Sequence, residues 1–120
     1  MPMVFPPPIY RLPEADIPFR GARAFLSQSA RHQVLFMEFG EDVEVPEHAH
    51  EAQWAVVVDG RIDLTIDGVR RTHGRGDRYF IPAGVVHSAH IHAGYADVTF
   101  FDQADRYRAK AVPPGGHATG

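Results

Sequence analysis

The chain has 120 residues, 44% of them hydrophobic, and a formal net charge of −3. That length is enough for one domain and too short for two, and there is no run of about 18 apolar residues of the kind that spans a membrane. Lysine and arginine are not clustered in long runs, so nucleic-acid binding has little support. The first eight residues contain four prolines and do not read as a signal peptide, so we expect a cytoplasmic protein.

The N-terminal 18 residues hold six of the ten prolines of the chain. Proline lacks a backbone N–H and has a fixed φ, so this stretch is not expected to form a helix or a central strand. We predict an extended arm over residues 1–18, lying against the rest of the protein or against a neighbouring subunit. Residues 113–120 are rich in glycine and proline and are predicted to be a flexible tail.

Residues 19–112 are predicted to form one all-β domain. Short apolar or alternating runs predict strands at Arg23–Gln28, Gln33–Phe39, Gln53–Val58, Arg61–Ile66, Arg78–Ile81, Val86–His92 and Tyr95–Asp102. Asp59-Gly60 and Asp67-Gly68 are turn signals between these runs. Helical periodicity is weak and limited to Gln103–Ala111. Many short strands separated by glycine and proline turns are typical of a sandwich or a barrel.

The sequence contains no cysteine and eight histidines. Any metal site must therefore use nitrogen and oxygen ligands, because thiolate sites and disulfides are excluded. His48 and His50 are separated by one residue, so on a strand both imidazoles would share one face and could bind a metal at about 2.1 Å. Pro46 precedes the pair and keeps the chain extended. The pair alone is a common pattern, and a second segment is needed to support it.

Residues 76–87, which read GDRYFIPAGVVH, supply that second segment. Pro82 and Gly84 predict a tight turn at the end of a strand. The turn would deliver His87 to the start of the next strand, where it could meet the first two histidines.

The two segments together resemble the two motifs of the cupin family. The second motif is a glycine, five residues, Pro-x-Gly, two residues, a histidine, three residues and an asparagine, and it matches here through His87, with Ile91 at the asparagine position. In the first motif five residues separate a glycine from the His-x-His pair, whereas seven separate Gly40 from His48 here. The resemblance covers about residues 33–102. It implies a jelly-roll β-barrel that holds one divalent metal ion inside.

The family's first motif also contains an acidic ligand, and this chain has none at that spacing. Counting back from Gly60 places Gln53 at the position of the family's glutamate. Strand parity runs through residues 48, 50 and 52, so reaching Gln53 requires a bulge or bend near Glu51 and Ala52.

The resemblance thus implies four metal ligands, namely His48, His50, Gln53 and His87, and the ligand set suits Mn, Fe, Ni or Zn. Because all four ligands are neutral, the ion keeps its full charge and should favour an anionic ligand in its open positions. Family members with glutamine at this position include small enzymes that act on unsaturated uronates. Two alternatives stay open: Glu51 is the ligand instead, or Gln53 marks a site that has lost its metal.

The other histidines are not expected to be ligands. On a regular strand His90 and His92 face away from His87, which predicts that they are exposed or lie at a subunit contact. The remaining ones are predicted to be solvated or to lie in the tail: His32, His73 and His117.

A metal-binding barrel needs an apolar wall with few polar groups. Candidate pocket residues are Tyr79, Trp54, Phe36 and Met37, of which Tyr79 and Trp54 carry hydrogen-bonding tips. For Trp54 strict alternation from Gln53 also indicates the opposite orientation, away from the metal and in a dimer contact. No general base can be identified from spacing.

Three functions are compatible with these features. The first is a metal-dependent enzyme that acts on a small anionic metabolite by isomerase, lyase or dioxygenase chemistry. The second is a non-catalytic module that binds a sugar or an organic acid, and the third is a purely structural barrel. An open, metal-containing pocket would favour the enzyme. Exposed strand edges and the family resemblance imply a homodimer.

Overall fold

The computed structural model describes residues 3–111, which form eleven strands and one short helix. The strands are β1 (Ala15–Asp16), β2 (Ala22–Gln28), β3 (Gln33–Phe39), β4 (Val43–His48), β5 (Gln53–Asp59), β6 (Arg61–Ile66), β7 (Val69–Gly74), β8 (Arg78–Ile81), β9 (His87–Ile91), β10 (Ala96–Phe101) and β11 (Arg108–Ala109). The helix, α1, is Pro7–Tyr10. The predicted tail, residues 113–120 with His117, lies outside the described residues.

Two antiparallel sheets make up the barrel. One has the order β2-β3-β10-β5-β8 and the other has the order β4-β9-β6-β7, while β1 and β11 form a separate small pair. Most strands alternate in burial, as β3 does from Gln33 to Phe39, so one face of each sheet is apolar. The apolar core is formed by side chains of both sheets, among them Leu35, Val57, Ile62 and Leu64. This arrangement is the all-β jelly roll that the sequence predicts.

The predicted strands agree with the structure to within one residue at each end. Among the strands that the apolar runs do not predict, β7 is exposed at four of its six residues, so it lacks the alternation that would reveal it. The weak helical periodicity at Gln103–Ala111 does not produce a helix, because this segment forms bends and the short strand β11. No helix in the described part of the chain is long and apolar enough to cross a membrane.

The proline-rich N-terminal segment does contain one helical turn, α1, which corrects the expectation that it has none. Prolines occupy the first positions of this helix, where no intrahelical partner for an N–H exists. The segment lies on the outer face of the five-stranded sheet. There the ring of Phe5 packs edge-on against Phe36 at 5.6 Å, and the Tyr10 hydroxyl donates to Glu38 at 2.9 Å.

Both predicted turns are confirmed. Asp67 and Gly68 have positive φ values of 48° and 79° and form the tight hairpin between β6 and β7. Gly60 joins β5 to β6 with φ of 68°, and a Cβ at this position would lie 2.7 Å from backbone atoms of Tyr95. Glycine is therefore required where this corner of the barrel closes against Tyr95.

Candidate metal centre

Three imidazoles meet at one end of the space between the two sheets. His48, His50 and His87 each offer a ring nitrogen, and these atoms all lie within 4.8 Å of one another. The ring of His87 lies 4.2 Å from that of His48 and 4.7 Å from that of His50, measured between centroids. The three rings line the same cavity as Gln53.

A β-bulge at Pro46–Glu47 orients His48. Val45 pairs with Ala89 and His48 pairs with His87, so β4 has one residue more than β9 over this interval. In a regular strand the inward position after Val45 would be residue 47, and His48 would face the solvent. The bulge therefore places His48 opposite His87 on the inner face of the sheet.

His50 does not lie on a strand, which corrects the interpretation of the pair as alternating strand residues. β4 ends at His48 and β5 begins at Gln53, and the chain bends at Glu51 between them, as the position of Gln53 requires. The turn after β8 holds this connection in place, because the Gly84 N–H donates to the His50 carbonyl at 2.9 Å. Loop geometry, not strand periodicity, thus brings His50 into the cluster.

Each imidazole of the cluster donates its Nδ1 proton to a backbone carbonyl. The acceptors are Pro46 at 2.9 Å from His48, Glu51 at 2.7 Å from His50 and Val85 at 2.9 Å from His87. A carbonyl oxygen only accepts, so these bonds fix the tautomer with the proton on Nδ1 and leave Nε2 with a free lone pair. This is the arrangement found for histidines that bind metals through Nε2.

The Nε2 atoms of His50 and His87 lie only 3.1 Å apart. With both protons on Nδ1, two lone pairs face each other at this distance, which is repulsive unless a cation lies beside them. Protonation of a ring is disfavoured, because burial lowers the pKa of His50 to about 4 and also lowers the pKa of His87. The donor set therefore fits a divalent transition metal ion.

Gln53, the first residue of β5, points into the cavity beside the three imidazoles. Its Nε2 donates to the Thr99 hydroxyl at 3.1 Å, and that hydroxyl donates to the Trp54 carbonyl at 3.3 Å. Because the amide nitrogen is held by Thr99, the amide oxygen is the atom that remains available to the cavity. The alternative ligand, Glu51, has an exposed side chain.

The cavity has a volume of about 70 Å³ and is mostly apolar. Of the predicted pocket residues, Met37 and Tyr79 line it. Phe36 and Trp54 do not, because alternation along β3 and β5 turns them to the outer face of the sheet. Phe36 packs there against Phe5, and Trp54 is 42% exposed.

Two further polar residues line the cavity, and the sequence patterns do not identify either. Arg106 stacks over the rings of Tyr107 at 4.4 Å and Phe101 at 5.7 Å, and its Nε is buried with no hydrogen-bond partner among the described residues. Asp97 is only 3% exposed. A signal for Asp97 does exist, since it is the one charged residue at an inward position of a predicted apolar strand.

A second pair of histidines lies on the outer face of the four-stranded sheet, where strand parity predicts it. His90 bonds to Glu44, and Nε2 of His92 lies 2.7 Å from a carboxylate oxygen of Asp63. With Asp42 the two rings form a group whose ligand atoms lie within 4.8 Å of one another. None of these side chains lines the inner cavity.

The fold is shared with many solved structures. An RmlC-like cupin from Shewanella frigidimarina is 25% identical, with a TM-score of 0.69, over 78% of this chain and 86% of the other. KdgF from Halomonas sp. is 19% identical, with a TM-score of 0.65, over 76% of this chain and 87% of the other.

A variant of oxalate decarboxylase from Bacillus subtilis is 22% identical with a TM-score of 0.66. The match covers 77% of this chain but only 28% of the decarboxylase. No curated protein sequence matches the chain. The family model of the cupin domain matches residues 34–102, which is more than half of the chain. With the jelly-roll fold and the histidine cluster in its interior, this chain belongs to the cupin family.

Proposed function

We propose that this protein is a metal-dependent cupin that acts on a small anionic organic acid. One divalent transition metal ion, Mn, Fe, Ni or Zn, is held by His48, His50, Gln53 and His87. The observation that carries the proposal is the 3.1 Å approach of the His50 and His87 Nε2 atoms, each with its Nδ1 proton engaged by a carbonyl. Without a cation between them, this arrangement is unfavourable.

An anionic ligand is supported by the charges around the cavity. The four proposed metal ligands are neutral, so the ion keeps its full positive charge. Arg106 adds a second positive group, and its buried Nε has no hydrogen-bond partner in the described part of the chain. A buried guanidinium nitrogen without a partner is costly, and a carboxylate in the cavity would satisfy it.

The size of the cavity supports a small ligand. A volume of about 70 Å³ is well below that of a site for a drug-sized molecule. One structural relative, oxalate decarboxylase, is named for a small dicarboxylate. We therefore propose a small carboxylic acid, or the acidic end of a slightly larger one, as the substrate.

The positive groups define the class of reaction that the site favours. A bound divalent ion would polarise substrate oxygen atoms and stabilise negative charge on them. Arg106 would pair with the substrate carboxylate and orient it. The rings of Phe101 and Tyr107 flank the guanidinium at 5.7 Å and 4.4 Å. Isomerase and lyase reactions that build negative charge on a substrate oxygen fit this site best, and dioxygenase chemistry is the alternative within the proposal.

We also propose that the protein is a homodimer formed through the β8 edge of the five-stranded sheet. Trp54 and Phe80 are register partners on β5 and β8 and are 42% and 55% exposed. β8 is the last strand of its sheet, and no other strand of residues 3–111 pairs with its outer edge. A second copy of the chain could pair with this edge and cover the two aromatic rings.

The proposal is tested by elemental analysis of protein purified without added metal, together with the His48→Ala variant. The outer group at His90 and His92 is present in both proteins, so their difference reports the inner centre. We expect close to one additional metal ion per chain in the wild type. Oxalate and butanoate should then bind to the metal-loaded wild type and not to the variant. Equal metal content in the two proteins would contradict the proposal. Acid binding with no turnover of any carboxylate would instead indicate the binding module.

A further inference from the structure

We propose that Asp97, Tyr79 and Tyr95 form a hydrogen-bonding subsite at the inner end of the cavity, which binds a hydroxyl or carbonyl oxygen of the substrate. The substrate would then be a small hydroxy- or oxo-carboxylic acid, with its carboxylate near the metal centre and Arg106. This inference rests on the proposed function and deepens it. It assigns a role to three side chains that the metal centre does not use.

The first observation is the burial of the three polar side chains in one cavity. Asp97 is 3% exposed, Tyr79 is 7% exposed and Tyr95 is 1% exposed. All three line the cavity that contains the histidine cluster. In the described residues no salt bridge involves Asp97, so its carboxyl group has no cationic partner that would explain its burial.

The second observation concerns the two carboxyl oxygens of Asp97, which differ in their hydrogen bonding. Its Oδ2 accepts from the Tyr95 hydroxyl at 2.5 Å and lies 3.5 Å from the Tyr79 hydroxyl. Its Oδ1 is buried, with no hydrogen-bond partner among residues 3–111. Leaving such a buried atom unsatisfied is unfavourable, so a polar atom inside the cavity is the natural partner.

The protonation state of Asp97 defines what the subsite recognises. Burial raises the pKa of this carboxyl group to about 7. The hydrogen bonds from Tyr95 and Tyr79 lower the pKa, but by less than burial raises it. A neutral carboxyl group carries one proton, and with Oδ2 accepting from Tyr95 that proton is on Oδ1. Around neutral pH Oδ1 therefore donates a hydrogen bond when the group is protonated and accepts one when it is ionised, and a hydroxyl group on the ligand can partner with both forms.

The third observation is the spacing along β10. Asp97 and Phe101 face the same side of this strand, four residues apart, which is about 13 Å. Phe101 is adjacent to the metal centre, since its ring lies 5.4 Å from that of His50. This is a distance along the backbone, and the inward side chains leave a shorter space between them, so a ligand that contacts both ends needs its carboxylate and its distal oxygen at opposite ends of a short chain.

The test measures how much a distal hydroxyl adds to acid binding as the chain length varies. Butanoate, pentanoate and hexanoate are each compared with the ω-hydroxy acid of the same length, by calorimetric titration of the Zn²⁺-loaded protein. We expect the hydroxyl to tighten binding about three- to tenfold at one chain length, as a single hydrogen bond would. The gain should vanish in the double variant Asp97→Leu/Tyr95→Phe, which removes both partners and leaves no unpaired phenol.

Two controls separate this role from a structural one. The double variant should keep the zinc content of the wild type and its affinity for the acids without a hydroxyl. Val98→Ala changes a half-buried neighbour of Asp97 on β10 that does not line the cavity, and it should keep the hydroxyl gain. If acids bind but the hydroxyl adds nothing at any length, or adds as much in the double variant, this inference is overturned while the proposed function stands. If no acid binds the loaded protein, the proposed function fails and the inference fails with it.

Discussion

The Nε2 atoms of His50 and His87 face each other at 3.1 Å, although the residues are 37 positions apart in the chain. The Nδ1–H of His50 donates to the Glu51 carbonyl and that of His87 donates to the Val85 carbonyl. Neither Nε2 therefore carries a proton that it could donate to the other ring. The backbone thus sets the direction of both lone pairs before any ligand is bound. Preorganisation of this kind is what a metal site needs, since the ligands lose little freedom on binding.

Removal of one imidazole should abolish tight metal binding. In His87→Ala we expect loss of the inner metal ion and loss of the rise in melting temperature that the metal confers on the wild type, because ligand binding stabilises only the folded state. Elemental analysis and thermal melts with and without Zn²⁺ measure both effects. His32→Ala, which changes a ring that stacks on Phe100 away from the cavity, is the control and should behave as the wild type.

A carboxylate at position 53 should bind the metal more tightly than the amide does. In Gln53→Glu we expect an increase in metal affinity of at least about tenfold, since an anionic ligand offsets the charge of the ion. The affinity of the loaded protein for butanoate should fall for the same reason. Competition with a chelator and calorimetric titration give the two values. Weaker metal binding in this variant would show that Gln53 is not a ligand.

The hydroxyl of Thr99 should matter only through Gln53. In Thr99→Val the amide nitrogen loses its acceptor, so the amide can rotate and the metal affinity should fall by about threefold to tenfold. In the double variant Gln53→Leu/Thr99→Val the second substitution should add little to the first. Additive effects of the two changes would argue against this coupling.

Arg106 should govern acid binding without affecting the metal. In Arg106→Gln we expect the affinity for oxalate and butanoate to fall about ten- to a hundredfold, the loss typical of a charge-assisted hydrogen bond. The metal content should stay at the wild-type level. Arg108→Gln removes an exposed arginine on β11 and is the matched control. Similar losses in the two variants would indicate a general electrostatic effect.

The buried carboxyl group of Asp97 should make stability depend on pH. Its pKa is raised from 3.8 to about 7 in the folded protein, so between these values the folded state holds a proton that the unfolded state has released. The contribution of the protonated Asp97 to the free energy of unfolding is therefore present in full below about pH 4 and is lost as the pH rises to about 7. The groups that face it across the cavity are Tyr79, Tyr95, Tyr107 and Arg106.

The difference in free energy of unfolding between wild type and Asp97→Asn isolates this effect. We expect the difference to fall by about 1.4 kcal/mol per pH unit between about pH 4 and pH 7, measured by urea unfolding of metal-free protein. Protonation of the histidine cluster changes the free energy of unfolding of both proteins equally, so it cancels in the difference between them. Asp102→Asn, which changes an exposed carboxylate after β10, should leave the slope unchanged. A flat difference for Asp97→Asn would mean that this carboxyl group is ionised in the folded state.

Substitution of the exposed aromatic pair should weaken the proposed dimer. In Trp54→Glu/Phe80→Glu we expect sedimentation at the rate of a single chain, because two charges would have to be buried at the contact. Val69→Glu, at a 55% exposed residue of the other sheet, should not change the sedimentation rate. A wild type that sediments as a monomer at high concentration would contradict the proposal directly.

The barrel is predictable from the sequence because its strands are half-buried and therefore alternate. β3 and β6 match their predicted bounds, whereas β7 has no apolar face and gives no signal. The orientation of Trp54 also follows from parity, but its polar tip suggested a pocket residue. The side chain of an amphipathic residue does not indicate by itself which face it occupies.

The site was less predictable where it depends on irregular backbone. The bulge before His48 and the loop at His50 break the period of two, so the motif identifies these ligands while periodicity does not. Asp97 and Arg106 belong to no motif. Asp97 is a single charge in an apolar strand, and Arg106 lies in a segment whose weak helical pattern is misleading.

The bulge at Pro46–Glu47 has a further consequence for how the centre tolerates change in chain length. Because the extra residue of β4 is absorbed there, a chain that lacks Glu47 would run in unbroken register and still present its histidine opposite His87. Deletion of Glu47 should therefore keep His48 on the inner face of the sheet, although its bond to the Pro46 carbonyl would change, whereas deletion of Ala49 would shorten the segment that brings His50 into the cluster. A change in chain length should thus be tolerated before His48 and not between His48 and His50.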